Sequence, residues 1–488
     1  MLQLINALFT TLNQEGIRYC HWKSNINLNQ MLSGKTDIDL LVDQRDADRF
    51  DSIIAGRRFK SVAMRDLSVH HYYGLDYETG NIIHLHMYYR IVTGGTILKN
   101  YKLPLEDMLL QSCADKGIIP VPSKSAELAV LVIRKILECS SFIEFFFFLR
   151  DFKSIKAEMD WLYDADTEKE AIALLQYWLP SIKPQLFSSC IKAIQKKSTF
   201  ELMSLSLKIR SCLRNYRIYN FCISSVIRDY LFLRRIFSRV VFQKKGTHRL
   251  YRGGVVIAIV GPDASGKSTV VRKIANWLAD NFAVKTVHTG KPGSTFVSFI
   301  PNLFLPLLRR ALPYYRSENI EREFEINGTI DSVRISRMRG LIYYVRSVML
   351  AHDREKLLKK THEMASRGGI VICDRYPSYE IGAMDSFKGR IEKLGNGLTR
   401  FLASTSYKIY RRIPPPDIVI NLYVPLHIAV ERNVSRREDE FDSEDYLKRR
   451  HRSTIKQKYT TSRVYVMNTE TDIAETLLRV KRAIWECL

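Results

Sequence analysis

No two of the eight cysteines in this 488-residue chain form a C-x-x-C pair: Cys20, Cys113, Cys139, Cys190, Cys212, Cys222, Cys373 and Cys487 are scattered. That scatter argues against a zinc site or a disulfide framework and suits a reducing cytoplasm. Nor does the chain hold eighteen consecutive uncharged apolar residues, so no membrane-spanning helix is expected. Residues 1–10 lack a basic n-region and a small-residue cleavage site, and no signal peptide is expected either. Internal repeats and low-complexity tracts are missing as well. Acidic residues are scarce, 51 against 75 basic ones, which leaves a formal net charge of +24. Such an excess points to anionic partners (nucleotides, nucleic acid or acidic lipid head groups) and says nothing about fold.

A chain of this length is too long for one core and should hold two or three domains. The most informative stretch lies past the middle. Val255 to Val260 form an unbroken apolar run, as expected of a strand buried on both faces of a parallel sheet. Gly261-Pro262-Asp263-Ala264-Ser265-Gly266-Lys267-Ser268 then completes the G-x-x-x-x-G-K-S pattern, and an amphipathic helix follows from about Lys267 to Leu278. Two glycines let the backbone turn its amides toward phosphate oxygens, and the positive end of the helix adds a favourable field. Lys267 is placed to reach the β- and γ-phosphates and the Ser268 hydroxyl to hold Mg²⁺. Further along, Ile370 to Cys373 read as an apolar strand that ends in Asp374 at the sheet edge, where a second metal-side carboxylate belongs. Arg375 follows at once and can grip a phosphate through two parallel bonds. A long helix is expected over Arg339 to Ser366 and a late core strand from Asp417 to Val424. The helix after that strand carries Arg432, Arg436 and Arg437, a cluster suited to closing over a transferring phosphoryl group.

Residues 253 to 488 resemble the thymidylate kinase-like P-loop kinases. The likeness rests on the loop from Gly261 to Thr269 with its Asp263, on Asp374-Arg375-Tyr376, and on Arg354 at the spacing of that family's acceptor-phosphate arginine. The resemblance implies ATP- and Mg²⁺-dependent transfer of a γ-phosphoryl group to a monophosphate or hydroxyl acceptor. It implies that Gly261, Asp263, Ser265, Gly266, Lys267, Ser268 and Thr269 bind the nucleotide and that Ser268 and Asp374 serve the metal. Arg354, Arg375 and Tyr376 would hold the acceptor, with Arg436 and Arg437 as lid. Three departures touch the acceptor side. The family's Arg-Glu-Pro turn appears as Gly290-Lys291-Pro292-Gly293, and Pro377 to Asp385 replace the segment that follows Asp-Arg-Tyr. A proline-broken apolar insertion runs from Phe296 to Arg310, suited to a packed lid or to a bilayer surface. Thymidine monophosphate is therefore the family default rather than a firm acceptor.

The N-terminal region reads as α+β. Leu2, Leu4, Ile5, Leu8, Phe9 and Leu12 share one face of a helix, and Ile17 to Trp22 look like a strand. In Ser33-Gly34-Lys35-Thr36-Asp37-Ile38-Asp39, the two carboxylates lie two residues apart on a strand and project from one face. Both stay ionised only if a cation sits between them, the arrangement of a two-metal nucleotidyl-transfer site. The stretch resembles the nucleotidyltransferase superfamily signature, and Asp37 and Asp39 would then be catalytic metal ligands. That superfamily's third carboxylate is matched here by His84 in Ile82-Ile83-His84-Leu85-His86. An imidazole cannot replace a carboxylate's charge against Mg²⁺, although His84 and His86 suit Zn²⁺ or Mn²⁺. Lys23 falls where a phosphate-facing lysine is expected.

The expected organisation is thus a nucleotidyltransferase-like domain over 1–122, a helical, basic middle region over 123–249 and a P-loop kinase domain over 250–488. The middle region interleaves Arg210, Arg214, Arg217, Arg228, Arg234, Arg235, Arg239, Lys244 and Lys245 with aromatic and aliphatic residues. It reads as an amphipathic linker with solvated charges or as a contact for an anionic membrane or nucleic acid. The leading expectation is a cytoplasmic kinase fused to a nucleotidyltransferase-like domain, with a second, nucleotidyltransferase activity, peripheral membrane contact and a homodimer left open. Its competitors are a nucleotidyltransferase whose P-loop half senses ATP, in surface-polysaccharide or nucleotide-sugar metabolism, and a non-enzymatic docking protein.

Overall fold

A computed structural model describes residues 1–63, 68–113, 117–139, 141–242, 248–290, 292–293, 337–378, 380–381, 385–387, 397–434, 448, 451, 454, 457–459, 463–470 and 472–488. The chain divides into two compact units, Met1–Lys244 and Lys245–Leu488.

The first unit is built on a five-stranded mixed sheet. Its strands are β1 (Tyr19–His21), β2 (Ile38–Val42), β3 (Lys60–Ser61), β4 (His70–Leu75) and β5 (Ile82–Tyr88), in the order β1-β2-β5-β4-β3. Only β2 and β5 run parallel; the other neighbours are antiparallel. Period-two alternation sorts the side chains. Ile38, Leu40 and Val42, with Ile83, Leu85 and Met87, are buried against Ile5, Leu8, Phe9 and Leu12 of the helix Gln3–Gln14 and against Phe50 and Ile54 of the helix Ala47–Gly56. The intervening positions, Asp39, Leu41, His84, His86 and Tyr88, must then face the opposite side. A small hairpin of β6 (Ile91–Gly94) and β7 (Lys99–Leu103) follows.

Helices take over from Lys124. The helix Lys124–Glu138 starts on a Ser123 cap, whose hydroxyl accepts from the Ala126 amide at 3.3 Å. It is apolar around most of its circumference, as a helix at the centre of a bundle must be, and the helices Phe142–Leu162, Ala165–Trp178, Pro184–Lys196 and Thr199–Cys212 surround it. The helices from Lys124 to Cys212, set apart in the sequence as part of a middle region, share one hydrophobic cluster with Leu41 and Tyr88 of the sheet and with Trp22 just after β1. Within the phenylalanine run, Phe145 and Phe148 are buried whereas Phe146 is exposed. The last helix, Phe221–Phe242, leaves Val226, Tyr230, Leu233 and Phe237 exposed beside its arginines. Among the described residues no helix is long and apolar enough to cross a membrane.

The second unit is a parallel α/β sheet. Its strands are β8 (Val255–Val260), β9 (Val284–His288), β10 (Ile370–Asp374), β11 (Ile418–Tyr423) and β12 (Val464–Asn468), in the order β12-β11-β8-β10-β9 with every pair parallel. The run of Val and Ile in β8 is buried throughout because both faces of the central strand are covered. The helix Lys267–Ala279 follows β8, the helix Arg337–Ser366 precedes β10, and Ile473–Cys487 closes the chain with Trp485 fully buried. Since β8 has β10 on one side and β11 on the other, the strand order reverses there, and a crevice opens beyond the carboxyl ends of these strands.

Candidate functional site

The expected phosphate loop occupies that crevice. Gly261 leaves β8 at φ +145° so close to β11 that an added Cβ would meet the Leu422 carbonyl oxygen at 2.2 Å. Only glycine fits there. Ala264 and Gly266 also adopt positive φ, 64° and 83°, bending the loop before the helix begins at Lys267. Ser265 is fully buried beneath the loop, and its hydroxyl has no partner among the described residues. The Lys267 ammonium stays within the loop, donating to the Pro262 carbonyl at 2.6 Å with the Asp263 carboxylate at 3.8 Å. Ser268, exposed on the first helical turn, donates to Asp374 Oδ2 across 3.4 Å, and Thr269 is half-buried behind it. A hydroxyl from the start of the helix and a carboxylate from the end of β10 thus meet. Both are oxygen donors, the type a hard dication such as Mg²⁺ prefers, so the pair fits that ion.

Arg375 comes next in the chain and carries backbone strain, with φ at 72°. Its amide donates to the Ile259 carbonyl at 3.0 Å, and the guanidinium lies 3.6 Å from both Asp263 and Asp385. The arginine therefore bridges the loop and the segment around Asp385. Arg354, on the long helix, is buried. It donates to the Thr289 carbonyl at 3.0 Å, to the Asp385 carbonyl and carboxylate at 2.8 Å each, and to the Tyr410 hydroxyl at 2.6 Å. Tyr376 is buried too; its hydroxyl donates to the Pro414 carbonyl at 2.5 Å, and the ring lines a small cavity with Ser378, Tyr410 and Tyr459. Arg432 ties the loop down from the far side, reaching the Ala264 carbonyl at 3.4 Å and the Thr469 carbonyl at 2.7 Å. Arg436, Arg437 and the insertion Phe296–Arg310 lie outside the described residues. Thr289 and Asp385 carry no motif; the contacts of Arg354, and for Asp385 those of Arg375 as well, reveal them. Thr289 is fully buried, and its hydroxyl has no partner among the described residues.

A second cluster lies on the polar face of the β2–β5–β4 sheet in the first unit. Asp39 sits opposite His86 in the parallel register, and His86 opposite His71 in the antiparallel one. Those pairings gather Asp37, Asp39, His71, His84 and His86. The Lys23 ammonium approaches Asp39 Oδ1 at 2.9 Å and lies over the rings of Trp22 and Tyr88, each 5.1 Å away. His86 Nδ1 also meets Asp39 Oδ1, at 3.2 Å, while His84 Nδ1 meets Asp37 Oδ1 at 3.2 Å. His71 Nδ1 and His84 Nε2 are 3.0 Å apart. Burial pushes the Asp39 carboxyl up, but Lys23 and His86 outweigh it and hold the group well below the usual carboxylate range. Asp37 is also held low, its burial outweighed by His84 and His86. Burial lowers His84, favouring the neutral ring. The cation that two like-charged carboxylates require is thus supplied beside Asp39 by Lys23. With that carboxylate engaged and three imidazoles at hand, the donor set does not fit a pair of hard Mg²⁺ ions. His71 belongs to no motif, and its place across from His86 comes from the β4–β5 register.

No protein-family model matches the chain. The uncharacterized ATP-binding protein YghS of Escherichia coli is 27% identical over 181 residues, spanning 36% of this chain and 72% of that protein. The thymidylate kinase of Limosilactobacillus fermentum is 22% identical over 238 residues, 47% of this chain and 94% of the enzyme. Among solved structures, the deoxyadenosine kinase of M. mycoides with bound dATP covers 46% of this chain and 97% of its own at 19% identity, with a TM-score of 0.27. The two sequence relatives, together with the loop and the parallel sheet, establish a thymidylate kinase-like P-loop fold over roughly half the chain.

Proposed function

We propose that the second unit is a nucleotide kinase that moves the γ-phosphoryl group of ATP to a small phosphate- or hydroxyl-bearing acceptor, with a nucleoside monophosphate as the first class to try. One observation carries this reading. At the carboxyl edge of the sheet, the loop that carries Lys267 and Ser268 and the end of β10 that carries Asp374 and Arg375 bring these four groups together from two segments far apart in sequence. In this reading Gly261, Asp263, Ser265, Gly266, Lys267, Ser268 and Thr269 shape the nucleotide cradle, with Lys267 drawn from Pro262 onto the phosphates. Ser268 and Asp374 would hold Mg²⁺, which when bound neutralises charge across the β- and γ-phosphates. Arg375 exchanges its contacts with Asp263 and Asp385 for the transferring or accepting phosphate, acting by position and charge. Arg354 and Tyr376 position the acceptor wall from behind, because both are buried and engaged. The fold's relatives support the reading at low identity.

The test is radiolabelled ATP with Mg²⁺ and a panel of nucleoside monophosphates, nucleosides and sugars. Label is expected in at least one acceptor, and Lys267→Ala should lower the rate roughly 10²–10³-fold, the scale for removing one preorganised charge donor. Turnover that survives Lys267→Ala unchanged would refute the proposal.

A further inference from the structure

From the polar face of the first unit's sheet we infer a transition-metal site built by His71, His84 and His86, in which Asp37 and Asp39 orient the imidazoles. One ligand atom from each histidine can be chosen so that all three lie within 4.8 Å of one another. For a tetrahedral ion at ordinary zinc–nitrogen distances, neighbouring donors stand about 3.3 Å apart. His71 Nδ1 and His84 Nε2, at 3.0 Å, already meet that spacing. A proton shared between those two nitrogens and an ion bound by both are alternatives, and His86, whose Nε2 stands 3.8 Å from Asp37 Oδ2, supplies the third nitrogen of the cluster.

The other ring nitrogens support the assignment. His84 Nδ1 faces Asp37 Oδ1 at 3.2 Å and His86 Nδ1 faces Asp39 Oδ1 at 3.2 Å. A metal-bound imidazole ordinarily donates its remaining N–H to a carboxylate, which fixes the tautomer and strengthens the ligand. Here both strand-end carboxylates stand in that position. Lys23, 2.9 Å from Asp39, and the Tyr88 hydroxyl, 3.3 Å from it, hold the outer carboxylate in turn. Tyr73 stacks on His84 with ring centroids 4.2 Å apart and fixes the ring plane. Nitrogen donors select a borderline ion, Zn²⁺ first among common candidates, over Mg²⁺ or Ca²⁺. Three protein ligands leave a fourth position, and the adjoining Asp37 side chain is 53% exposed, so water or a small anion reaches it from solvent. No cysteine takes part, which is why the scattered thiols say nothing about this site.

The proposal stands apart from the kinase reading, because its test needs neither ATP nor turnover. Full-length protein without a polyhistidine tag is titrated with Zn²⁺ against a chromophoric chelator and, in parallel, with Co²⁺ followed by visible absorption. We expect one ion per chain and the absorption of a four-coordinate Co²⁺ centre. His71→Asn and His86→Asn should each abolish both signals, with circular dichroism showing that the fold persists. Asp39→Asn keeps all three ligands and should weaken binding by about 10–100-fold, the usual effect of removing an imidazole's orienting carboxylate. Absence of stoichiometric binding by the wild-type chain would overturn the proposal. So would binding that both histidine variants retain, or Asp39→Asn binding as tightly as wild type.

Discussion

Arg354 offers the sharpest separation between holding the crevice together and touching the acceptor. Its residue is 4% exposed, and the guanidinium links the turn after β9 to Asp385 and to Tyr410. Arg354→Ala leaves the Asp385 side chain, 12% exposed, with the Arg375 guanidinium 3.6 Å away as its nearby cation. Breaking a buried pair by removing one partner costs about 3–5 kcal/mol. The surviving Arg375 contact places this case near the lower bound, about 3 kcal/mol. In a domain of this size each kcal/mol moves Tm by roughly 2–4 °C, so the second unit should melt about 6–12 °C lower. Scanning calorimetry of the full chain, with an ATP analogue to mark the second unit's transition, reads the shift. Arg354→Lys keeps the charge but not the fork and should fall between the two. Adding Asp385→Asn to Arg354→Ala removes the stranded charge and should recover part of the loss, a coupling of roughly 1–2 kcal/mol. A transition within 1–2 °C of wild type for Arg354→Ala, combined with a raised acceptor KM, would refute the reasoning and return Arg354 to direct acceptor contact.

Gly261→Ala tests the loop without removing a charge. Its Cβ would meet the Leu422 carbonyl at 2.2 Å at φ +145°, a region almost restricted to glycine, so strain of about 1–3 kcal/mol should weaken nucleotide binding roughly 10–100-fold by calorimetry. Glu127 tests the first unit. Burial pushes its carboxyl from 4.5 up to about 7, only partly offset by bonds from the Asn25 amide and side chain at 3.0 and 2.9 Å. A folded-state value above the unfolded one means that the native state binds the extra proton. Stability from this group is therefore full below about pH 4.5 and lost as pH rises through about 7. At 1.36 kcal/mol per pH unit the loss is about 3 kcal/mol, so wild type should lose that much relative to Glu127→Gln between pH 4 and pH 8 in urea titrations. Parallel pH profiles for the two proteins would contradict it.

What the sequence made legible follows from how local each signal is. The phosphate loop needs six contiguous residues before it and a helix after it, so both strand and loop fall where the pattern puts them. The same holds for β10 ending at Asp374 and for the long helix, described over Arg337–Ser366. The contacts of Arg354 could not be read, because Thr289, Asp385 and Tyr410 come from three distant segments and none has a spacing rule. Period-two alternation rightly placed Asp37 and Asp39 on one face, yet said nothing of which strands would lie beside β2.

Register is what decides the chemistry on that face. Two carboxylates two residues apart demand positive charge or hydrogen-bond donors, and the demand can be met by a bound dication, by an ammonium or by imidazole N–H groups. A parallel pairing sets Asp39 opposite His86, and an antiparallel pairing sets His71 opposite His86 and Tyr73 opposite His84. Sliding β5 by one residue would turn Leu85 and Met87 toward the carboxylates and bury the histidines among Ile5, Phe9 and Phe50, a swap of apolar for polar side chains across the whole strand. The hydrophobic face therefore locks the polar one. With Lys23 already beside Asp39, the remaining nitrogens are left to converge on one another, and three imidazoles that converge make a better home for a borderline ion than for Mg²⁺. The replacement of an expected carboxylate by His84 is on this account not the loss of one metal site but a change in which class of ion the same sheet face can hold.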